Sequence, residues 1–163
     1  YVVMNSFGVI VPSFCTKEEL KKIEGMSKNL LVLENDRFCA VANNIACNDY
    51  GAIVNPNFPD KEIKKIEKIL EVPVYKKRLG KWKTIGMMMV TTNKGYVVSN
   101  KTNDKDLEEL KEILKVSGNR ATVNLGLEAV GLGIIANSKI AFVGRQTSGF
   151  ELSKIAEGLD ILV

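Results

Sequence analysis

Histidine is absent from this sequence of 163 residues, and its absence limits the chemistry more than any other feature of the composition. Without imidazole, a Ser-His-Asp triad, a Cys-His pair and a histidine-ligated metal site are all excluded. General acid–base catalysis near neutral pH would depend on carboxylates, lysines or tyrosines with shifted pKa values, which is an uncommon arrangement. We therefore expect a protein that is not an enzyme, with no catalytic residue, no metal site and no cofactor.

Cysteine is scarce, and its three positions, Cys15, Cys39 and Cys47, are odd in number. No two of them have the spacing of a CxxC ligand pair, so we interpret them as buried thiols in a reducing compartment. Long apolar runs are also missing, because the longest, Ala129–Ala136, falls well short of the ~20 residues of a membrane span. No signal peptide is recognisable, and we expect a cytoplasmic protein.

The residues that are present give the composition of an ordinary globular domain, with 45% apolar and 26% charged residues. Lysine and arginine number 23 against 19 for aspartate and glutamate, a formal charge of +4. This mild excess suits a partner with phosphate groups without requiring one. The chain begins at Tyr1 inside an apolar run, which indicates the middle of a strand, so we expect the sequence to be part of a longer protein.

An internal repeat of about 44 residues is the strongest pattern in the sequence. Each copy reads as an apolar strand, an asparagine-centred turn, a second apolar strand and an amphipathic helix. We interpret the turn asparagines as structural, because asparagine and glycine tolerate left-handed backbone in hairpins. These asparagines are Asn5, Asn48, Asn93 and Asn137.

The predicted helices keep the same step, because good N-cap residues recur every 44 residues. Two of these caps also have the spacing of a capping box, Thr16 with Glu19 and Ser148 with Glu151. The predicted helix starts are Thr16, Asp60, Asp104 and Ser148. The strands that precede the later turns are predicted to start at Val41, Ile85 and Val130. With short third strands at Val72–Val74 and near 121–123, each unit is predicted as β-β-α-β.

A unit of this kind has one sheet face to cover and one helix to cover it, so we predict a ring of units with the helices outside. The predicted fold class is α+β, a propeller of ββαβ repeats forming a single domain over residues 1–163. The repeats are predicted at roughly 1–36, 37–80, 81–120 and 121–163. Five units would take roughly 220 residues, so the chain would supply about 3.7 of them and lack the first, about 57 residues. An open ring exposes strand edges and apolar sheet, which is an aggregation hazard.

Three stretches of the sequence resemble one family over nearly the whole chain. Asn43–Tyr50 is similar to an Ala-Leu-Gly-Asn strand that runs into a Cys-Asn-Asp-Tyr turn, and Val90–Gly95 to a Val-Thr-Asn-Lys-Gly hairpin. Thr122–Leu152 is similar to Thr-Val-Asn, Ile-Ile-Ala-Asn-Ser-Lys and Thr-Thr-Gly-Pro-Glu-Leu segments. The family is that of the archaeal and eukaryotic translation initiation factor 6. Three positions depart from its pattern: Ala42 and Ile140 replace glycines, and Phe150 replaces a proline.

The resemblance implies a pentein αβ-propeller of five units and a role in translation without catalysis. The family binds the large ribosomal subunit through ribosomal protein and rRNA near the sarcin–ricin loop, and so prevents association with the small subunit. It also takes part in late large-subunit maturation, and an elongation-factor-like GTPase with its cofactor protein releases it in related systems. Neither DNA nor a membrane is an expected partner, and the lysine-rich composition suggests an archaeal source.

Two alternatives stay open beside this interpretation. The pentein fold also carries enzymes that modify guanidino compounds with a nucleophilic cysteine, for which Cys47 is the candidate. Without histidine, however, the thiolate lacks its base and the leaving group its acid, which disfavours this alternative. The other alternative is a generic rRNA-binding module that acts through a basic loop.

Two sets of residues are candidates for contact with the ribosome. Asn43 matches the asparagine on the ribosome-facing surface of the family, and by the repeat register Met87 and Leu132 are its equivalents in the next units. Met87 is also compatible with a core position, because it belongs to an apolar run. The second set is the dense basic cluster of the sequence, where charges could neutralise phosphate and an indole could stack on a base. Its candidates for RNA contact are Lys76, Lys77, Arg78, Lys81, Trp82 and Lys83.

Overall fold

The computed structural model describes residues 1–25, 27 and 29–161. Strands and helices alternate along the chain in a mixed α/β domain. In the part of the chain that is described, no helix is long and apolar enough to cross a membrane. The strands are β1 (Val3–Met4), β2 (Val9–Pro12), β3 (Leu30–Leu33), β4 (Ile45–Cys47), β5 (Ala52–Val54), β6 (Val74–Lys76), β7 (Met89–Thr91), β8 (Tyr96–Ser99), β9 (Gly118–Ala121), β10 (Ile134–Ala136) and β11 (Ala141–Val143). The helices are α1 (Lys17–Glu24), α2 (Val41–Asn44), α3 (Asp60–Leu70), α4 (Ile85–Met88), α5 (Asp104–Leu114) and α6 (Gly149–Leu159), with 3₁₀ turns at Asp36–Phe38 and Val130–Leu132.

The strands form small separate sheets with one recurring topology. In β1-β2-β3, β4-β5-β6 and β7-β8-β9, the first two strands are antiparallel and the third runs parallel to the second after the intervening helix. The last sheet contains β10 and β11, which are antiparallel. The predicted mixed class and the order β-β-α-β are therefore observed, whereas no sheet closes on itself within the described residues.

The middle strands β2, β5 and β8 are buried along their whole length. In β5 and β8 one face packs on the unit's own helix and the other on the next unit. The long helices turn an apolar side inward, where α3 buries Ile66 and Leu70 and α5 buries Leu110 and Leu114. Lysines and glutamates occupy their outer sides. Three clusters of buried apolar residues lie along the chain in sequence order, so the core is a series of small cores between neighbouring sheets.

The predicted capping boxes are confirmed at both ends of the chain. Thr16 caps α1 with Glu19, and Ser148 caps α6 with Glu151. Asp60 and Asp104, however, are the first helical residues and not the caps. Their carboxylates instead form ion pairs across the unit, Asp60 with Lys76 and Asp104 with Arg120, at 2.5 Å each. Asn103 caps α5, and Pro59 precedes α3 without a side-chain cap.

Two further expectations are corrected by the structure. Val41, Ile85 and Val130 start short helical turns and not strands, and the strands follow four residues later. The predicted third strand near 121–123 lies earlier, at β9, and Val123 forms an isolated bridge with Leu127. Of the three cysteines, Cys47 is buried and the other two are half-buried.

The asparagine turns join each unit to its successor. The side-chain amide of Asn5 donates to the carbonyl oxygens of Asn48 (3.2 Å) and Leu70 (2.8 Å). One unit later, the amide of Asn48 donates to the carbonyls of Thr92 (3.1 Å) and Leu114 (2.8 Å). Each of these two turns is thus held by the strand end and the helix end of the following unit, which fixes the order of the first three units in space.

The third turn is centred on Thr92 and not on Asn93. The hydroxyl of Thr92 accepts from the main-chain N–H groups of Lys94 and Gly95, as the Asn48 oxygen does from Tyr50 and Gly51. Asn93 instead bonds to Asp49 through its side chain. The step between equivalent turn residues is therefore 44 residues from Asn48 to Thr92 and 45 from Thr92 to Asn137.

Candidate functional site

Three short helical turns carry the predicted ribosome-binding positions, and they lie side by side. Asn43 is the third residue of α2, Met87 the third of α4, and Leu132 the third of the 3₁₀ turn Val130–Leu132. α2 contacts α4, and α4 contacts the 3₁₀ turn. We call these three turns the helix row. The structure thus places the three predicted residues at equivalent positions of successive units.

Two glycines allow the turns of the helix row to approach each other closely. A Cβ atom on Gly86 would lie 1.8 Å from the carbonyl oxygen of Ala42. A Cβ atom on Gly131 would lie 1.9 Å from the carbonyl oxygen of Gly86. Any side chain at either position would therefore collide with main chain, which cannot retreat as a flexible side chain can.

The three predicted residues differ in exposure. Leu132 is 55% exposed, Asn43 is half-buried, and Met87 packs partly against the apolar cluster around β7 and β8. The side-chain amide of Asn43 makes no hydrogen bond to another described residue, in contrast to Asn44, which bonds to Ala40 and Asn55. Asn43 and Leu132 line an open depression of about 840 Å³, whereas Met87 does not. The structure thus shows the core packing predicted for Met87, while its contact with the ribosome stays a prediction.

The basic cluster is divided by the structure into ion-paired and free residues. Lys76 pairs with Asp60 at 2.5 Å. Lys77 lies between Asp106, at 3.0 Å, and Glu109, with only 13% of its side chain exposed. Burial alone would lower the pKa of Lys77, but the hydrogen bonds to Glu109 and Asp106 outweigh burial and raise it. Lys76 and Lys77 therefore serve the fold, and their charges are already neutralised.

The remaining members of the cluster lie on an exposed hairpin. Leu79 and Trp82 exchange two main-chain hydrogen bonds, of 3.0 and 2.9 Å, around Gly80 and Lys81. Gly80 has φ +54°, which suits a two-residue hairpin turn with glycine at its first central position. The exposed residues of this hairpin are Arg78, Lys81, Trp82 and Lys83.

Sequence reasoning missed the residues that face this hairpin. The tight turn Ser99–Thr102 after β8 and the side chain of Glu128 enclose, with the hairpin, a cleft of about 410 Å³. Lys101 on that turn adds a further exposed charge, 66% of its side chain being accessible. The repeat step of about 44 residues could have identified Lys101, because the turns after the middle strands recur with the same step as the hairpins.

Cys47 does not have the properties of a nucleophile. Burial raises the pKa of its thiol to about 12, and Asp49 contributes in the same direction. The thiol donates to the carbonyl oxygen of Met4, with sulfur and oxygen 3.6 Å apart. Within the described residues, no cluster of three or more acidic or cysteine side chains is placed to hold a metal ion.

Comparison with known proteins gives the family. The sequence profile described as the eIF-6 family matches residues 1–158. The chain belongs to the eIF-6 family. Translation initiation factor 6 of Thermoplasma acidophilum is 38% identical over 158 residues, 97% of this chain and 72% of that protein. The factor of Methanosarcina mazei is 37% identical over 158 residues, 97% of this chain and 71% of its own length.

Eukaryotic members of the eIF-6 family are similar too. Eukaryotic translation initiation factor 6 of Toxoplasma gondii is 36% identical over 156 residues, 94% of this chain and 59% of the longer protein. The chain thus spans most of the length of its archaeal relatives and a smaller part of this eukaryotic one. The archaeal organisms among these relatives fit the expected archaeal source. The relatives in this family are named translation initiation factors, and this agrees with the expectation, drawn from the composition, that the protein has no catalytic chemistry.

Proposed function

We propose that this protein acts in the cytoplasm as a translation initiation factor that binds the large ribosomal subunit and sterically prevents it from joining the small subunit. The same proposal includes a role in late large-subunit maturation and release by an elongation-factor-like GTPase with its cofactor protein. Occlusion needs a rigid body, buried area and a clash with the incoming subunit, and no bond is made or broken. The relatives named translation initiation factor 6 support this function.

The fold that goes with this function is the pentein propeller, which we propose for the complete ring. In each sheet before the last, one pair of residues that face each other across the two antiparallel strands points toward the next unit and is covered by it. In the sheet of β4 and β5 this pair is Ala46 and Ile53, which belong to the core around β7 and β8. The equivalent pair in the last sheet, Ile135 and Phe142, is 77% and 67% exposed. A further unit packed on this pair would extend the series in the direction of a closed ring.

The observation that carries the functional proposal is the helix row. It presents Asn43 and Leu132 on one surface. The side-chain amide of Asn43 makes no hydrogen bond to another described residue, so it is available to bond to a partner molecule. An exposed amide can donate and accept at an interface with little desolvation cost. We propose that the helix row, including Met87, is the surface that contacts the large subunit.

Co-sedimentation with purified large subunits tests this proposal. Asn43→Arg adds a long charged side chain in the middle of the row, and we expect binding to fall about tenfold or more and subunit joining to recover. The melting temperature should stay within about 2 °C of wild type, because a half-buried surface change costs ~0.5 kcal/mol or less.

The matched control is Ser153→Arg, which adds the same side chain on the exposed side of α6, away from the row. It should bind and inhibit joining as wild type does. Equal binding by wild type and Asn43→Arg would remove the row from the interface. A wild-type protein that does not sediment with large subunits at all would refute the proposed function.

A second candidate function, a generic RNA-binding module, is favoured by one observation, the exposed and unneutralised charges of the hairpin. Each lysine or arginine that neutralises an RNA phosphate contributes about −0.7 to −0.9 to the slope of log affinity against log salt. Arg78→Ala/Lys81→Ala/Lys83→Ala should flatten the salt dependence of large-subunit binding, whereas Lys76→Ala should not, because Asp60 already neutralises that charge. A module that binds isolated rRNA fragments as tightly as whole subunits would support this candidate over the first.

A further inference from the structure

The cleft between the hairpin 79–82 and the turn 99–102 is a feature that family membership does not explain. We call it the Trp82 cleft. Its volume of about 410 Å³ lies in the range of ~300–1,000 Å³ that is usual for small-ligand sites. Its walls come from two different units, since the hairpin follows β6 and the turn follows β8.

The hairpin side presents an aromatic surface on a rigid support. Leu79, only 3% exposed, anchors the hairpin in the apolar cluster, and its two main-chain hydrogen bonds to Trp82 fix the turn. The indole of Trp82 stays 39% exposed, and the Lys81 ammonium lies over one face of its ring, 5.1 Å from the centroid, so a base would stack on the other face. An exposed indole held in place next to a cation suits a planar, electron-rich ring with a negative charge attached.

The opposite side is a tight turn with polar groups. The Thr102 N–H donates to the Ser99 carbonyl at 3.0 Å, and the Lys101 N–H donates to the Ser99 hydroxyl at 3.3 Å. Thr102 is 5% exposed and lines the cleft, and its hydroxyl has no hydrogen-bond partner among the described residues. Because this hydroxyl is closed off from solvent, the turn contributes its shape and the charge of Lys101 to the cleft, and not a hydrogen bond from Thr102.

Two side chains of opposite charge, Lys101 and Glu128, lie at the rim of the cleft. Lys101 is well exposed, and its ammonium lies 3.6 Å from Glu128, a loose pair that a phosphate can compete with. Glu128 lines the cleft, where an ionised carboxylate only accepts hydrogen bonds. It would therefore favour a base with an exocyclic amino group, such as cytosine, over uracil, whose single N3–H donor is flanked by two carbonyl oxygens that repel a carboxylate.

We propose that the Trp82 cleft binds one nucleotide of a single-stranded RNA segment, with the base stacked on Trp82, its amino edge directed to Glu128 and the adjacent phosphate held by Lys81 and Lys101. Planar stacking, a hydrogen-bonding edge and a phosphate are the three parts of a nucleotide, and the cleft offers a matching group for each. The inference rests on the proposed function for the source of the RNA, the large subunit, while the binding chemistry is independent of it.

Trp82 makes the proposal directly measurable, because it is the one tryptophan of the 163-residue sequence. A titration of the protein with a five-nucleotide cytidine RNA should quench its fluorescence in a saturable way. We expect at least fivefold weaker binding of the matching uridine RNA and at least tenfold weaker binding of cytidine monophosphate, which lacks the neighbouring phosphates.

Variants then assign the contacts. Lys81→Ala/Lys101→Ala should weaken binding of the cytidine RNA about tenfold and reduce the salt slope by about 0.7, since the two lysines hold one phosphate and each phosphate neutralised on a single strand contributes about 0.7. The matched control Lys61→Ala/Lys65→Ala removes two exposed lysines of α3 that do not line the cleft, and should change neither quantity.

Three outcomes would overturn the inference. They are absence of quenching by any RNA, an equal effect of the α3 control pair, and monophosphate binding as tight as that of the oligonucleotide, which would assign the cleft to free nucleotides. The oligonucleotide titration contains no ribosomes, so its failure leaves the co-sedimentation result intact. Conversely, loss of subunit binding with intact RNA quenching would refute the proposed function alone.

Discussion

At the scale of single residues, Glu151 makes the densest set of hydrogen bonds among the described carboxylates. It accepts from the N–H and hydroxyl of Ser148, from the hydroxyl of Thr122 at 2.7 Å, and from the N–H groups of Leu125 and Gly126. One side chain thus caps α6 and holds the loop after β9, where three consecutive residues have positive φ. Burial alone would raise its pKa, but the bonds from Ser148, Thr122 and Gly126 lower it to about 2.

The first prediction concerns pH. Because the folded pKa lies below the ordinary value of 4.5, the stabilisation from Glu151 is complete above pH ~4.5 and is lost as the pH falls toward about 2. Glu151→Gln should lower the free energy of unfolding at pH 7 by ~2 kcal/mol, or about 5 °C in melting temperature. Thermal unfolding at pH 7 and pH 3 should show the gap between wild type and variant narrowing in acid.

Glu157→Gln is the control for this measurement, since Glu157 forms an exposed pair with Lys154 on the same helix. It should differ little from wild type at either pH. A gap that stays constant between pH 7 and pH 3 for Glu151→Gln would show that its ionisation does not stabilise the fold.

Single residues also show where sequence reasoning stops. The caps Thr16 and Ser148 were predictable, because a capping box is a local pattern of four residues. Asp60 and Asp104 were not, because their partners Lys76 and Arg120 lie 16 residues away in the chain. Thr92 was not recognised as the central residue of the third turn, because a hydroxyl replaces the carboxamide of the other turns. The adjacent Asn93 is the more familiar turn residue and was chosen instead.

At the scale of elements, the same connection is made with different chemistry in successive units. The loop after each third strand is tied to the first or second turn of the next long helix: Asn35 to Glu62, Lys77 to Asp106 and Thr122 to Glu151. The repeat step predicted the elements that this connection joins. It did not predict the connection, because an amide, an ammonium and a hydroxyl share no sequence pattern.

The helix row is the element that the sequence concealed most. Val41, Ile85 and Val130 are β-branched and precede strands, so local propensity favoured extended backbone. The tertiary contact between the turns decides otherwise, because main chain approaches main chain at Gly86 and Gly131. The register of the repeat nevertheless placed Asn43, Met87 and Leu132 at matching positions, since that inference needs only the step.

The second prediction belongs to this element. Gly131→Ala would force a Cβ against the Gly86 carbonyl and should lower the free energy of unfolding by about 3 kcal/mol. Gly149→Ala is the matched control, because a Cβ there meets nothing within 4 Å in the first turn of α6. It should be neutral or stabilise by ~0.5 kcal/mol, since alanine favours helix over glycine. Urea denaturation of both variants checks the pair, and equal stabilities would show that the row is not tightly packed.

At the scale of the whole molecule, the series of small cores has one uncovered end. Within the described residues, β11 pairs with β10 alone, and its sheet exposes Ile135 and Phe142 as a cross-strand pair. Leu125 and Phe150, from the loop after β9 and the first turn of α6, are also 73% and 75% exposed. The number of repeats in the sequence predicted an exposed apolar surface. Which residues form it was not predictable, because that depends on how β10 and β11 pair.

The third prediction concerns this surface. The 163-residue chain on its own should self-associate with rising concentration, because exposed strand edges and apolar pairs promote contact between copies. Ile135→Lys/Phe142→Lys should abolish this behaviour in sedimentation velocity and leave the melting temperature within about 2 °C of wild type. Wild-type protein that stays monomeric up to ~100 μM, well within the μM–mM range in which exposed apolar surface drives association, would contradict it.

The direction of the asparagine contacts has a consequence for biosynthesis. Asn5 donates to carbonyl groups 43 and 65 residues further along, and Asn48 repeats this with offsets of 44 and 66. On a nascent polypeptide each turn must wait for its acceptors to emerge, which takes roughly 3–13 s at about 5–20 residues per second. The turns at Asn5 and Asn48 can therefore form their hydrogen bonds only after the following unit has been translated, and a chain stalled before that point would leave the turn amide without these acceptors.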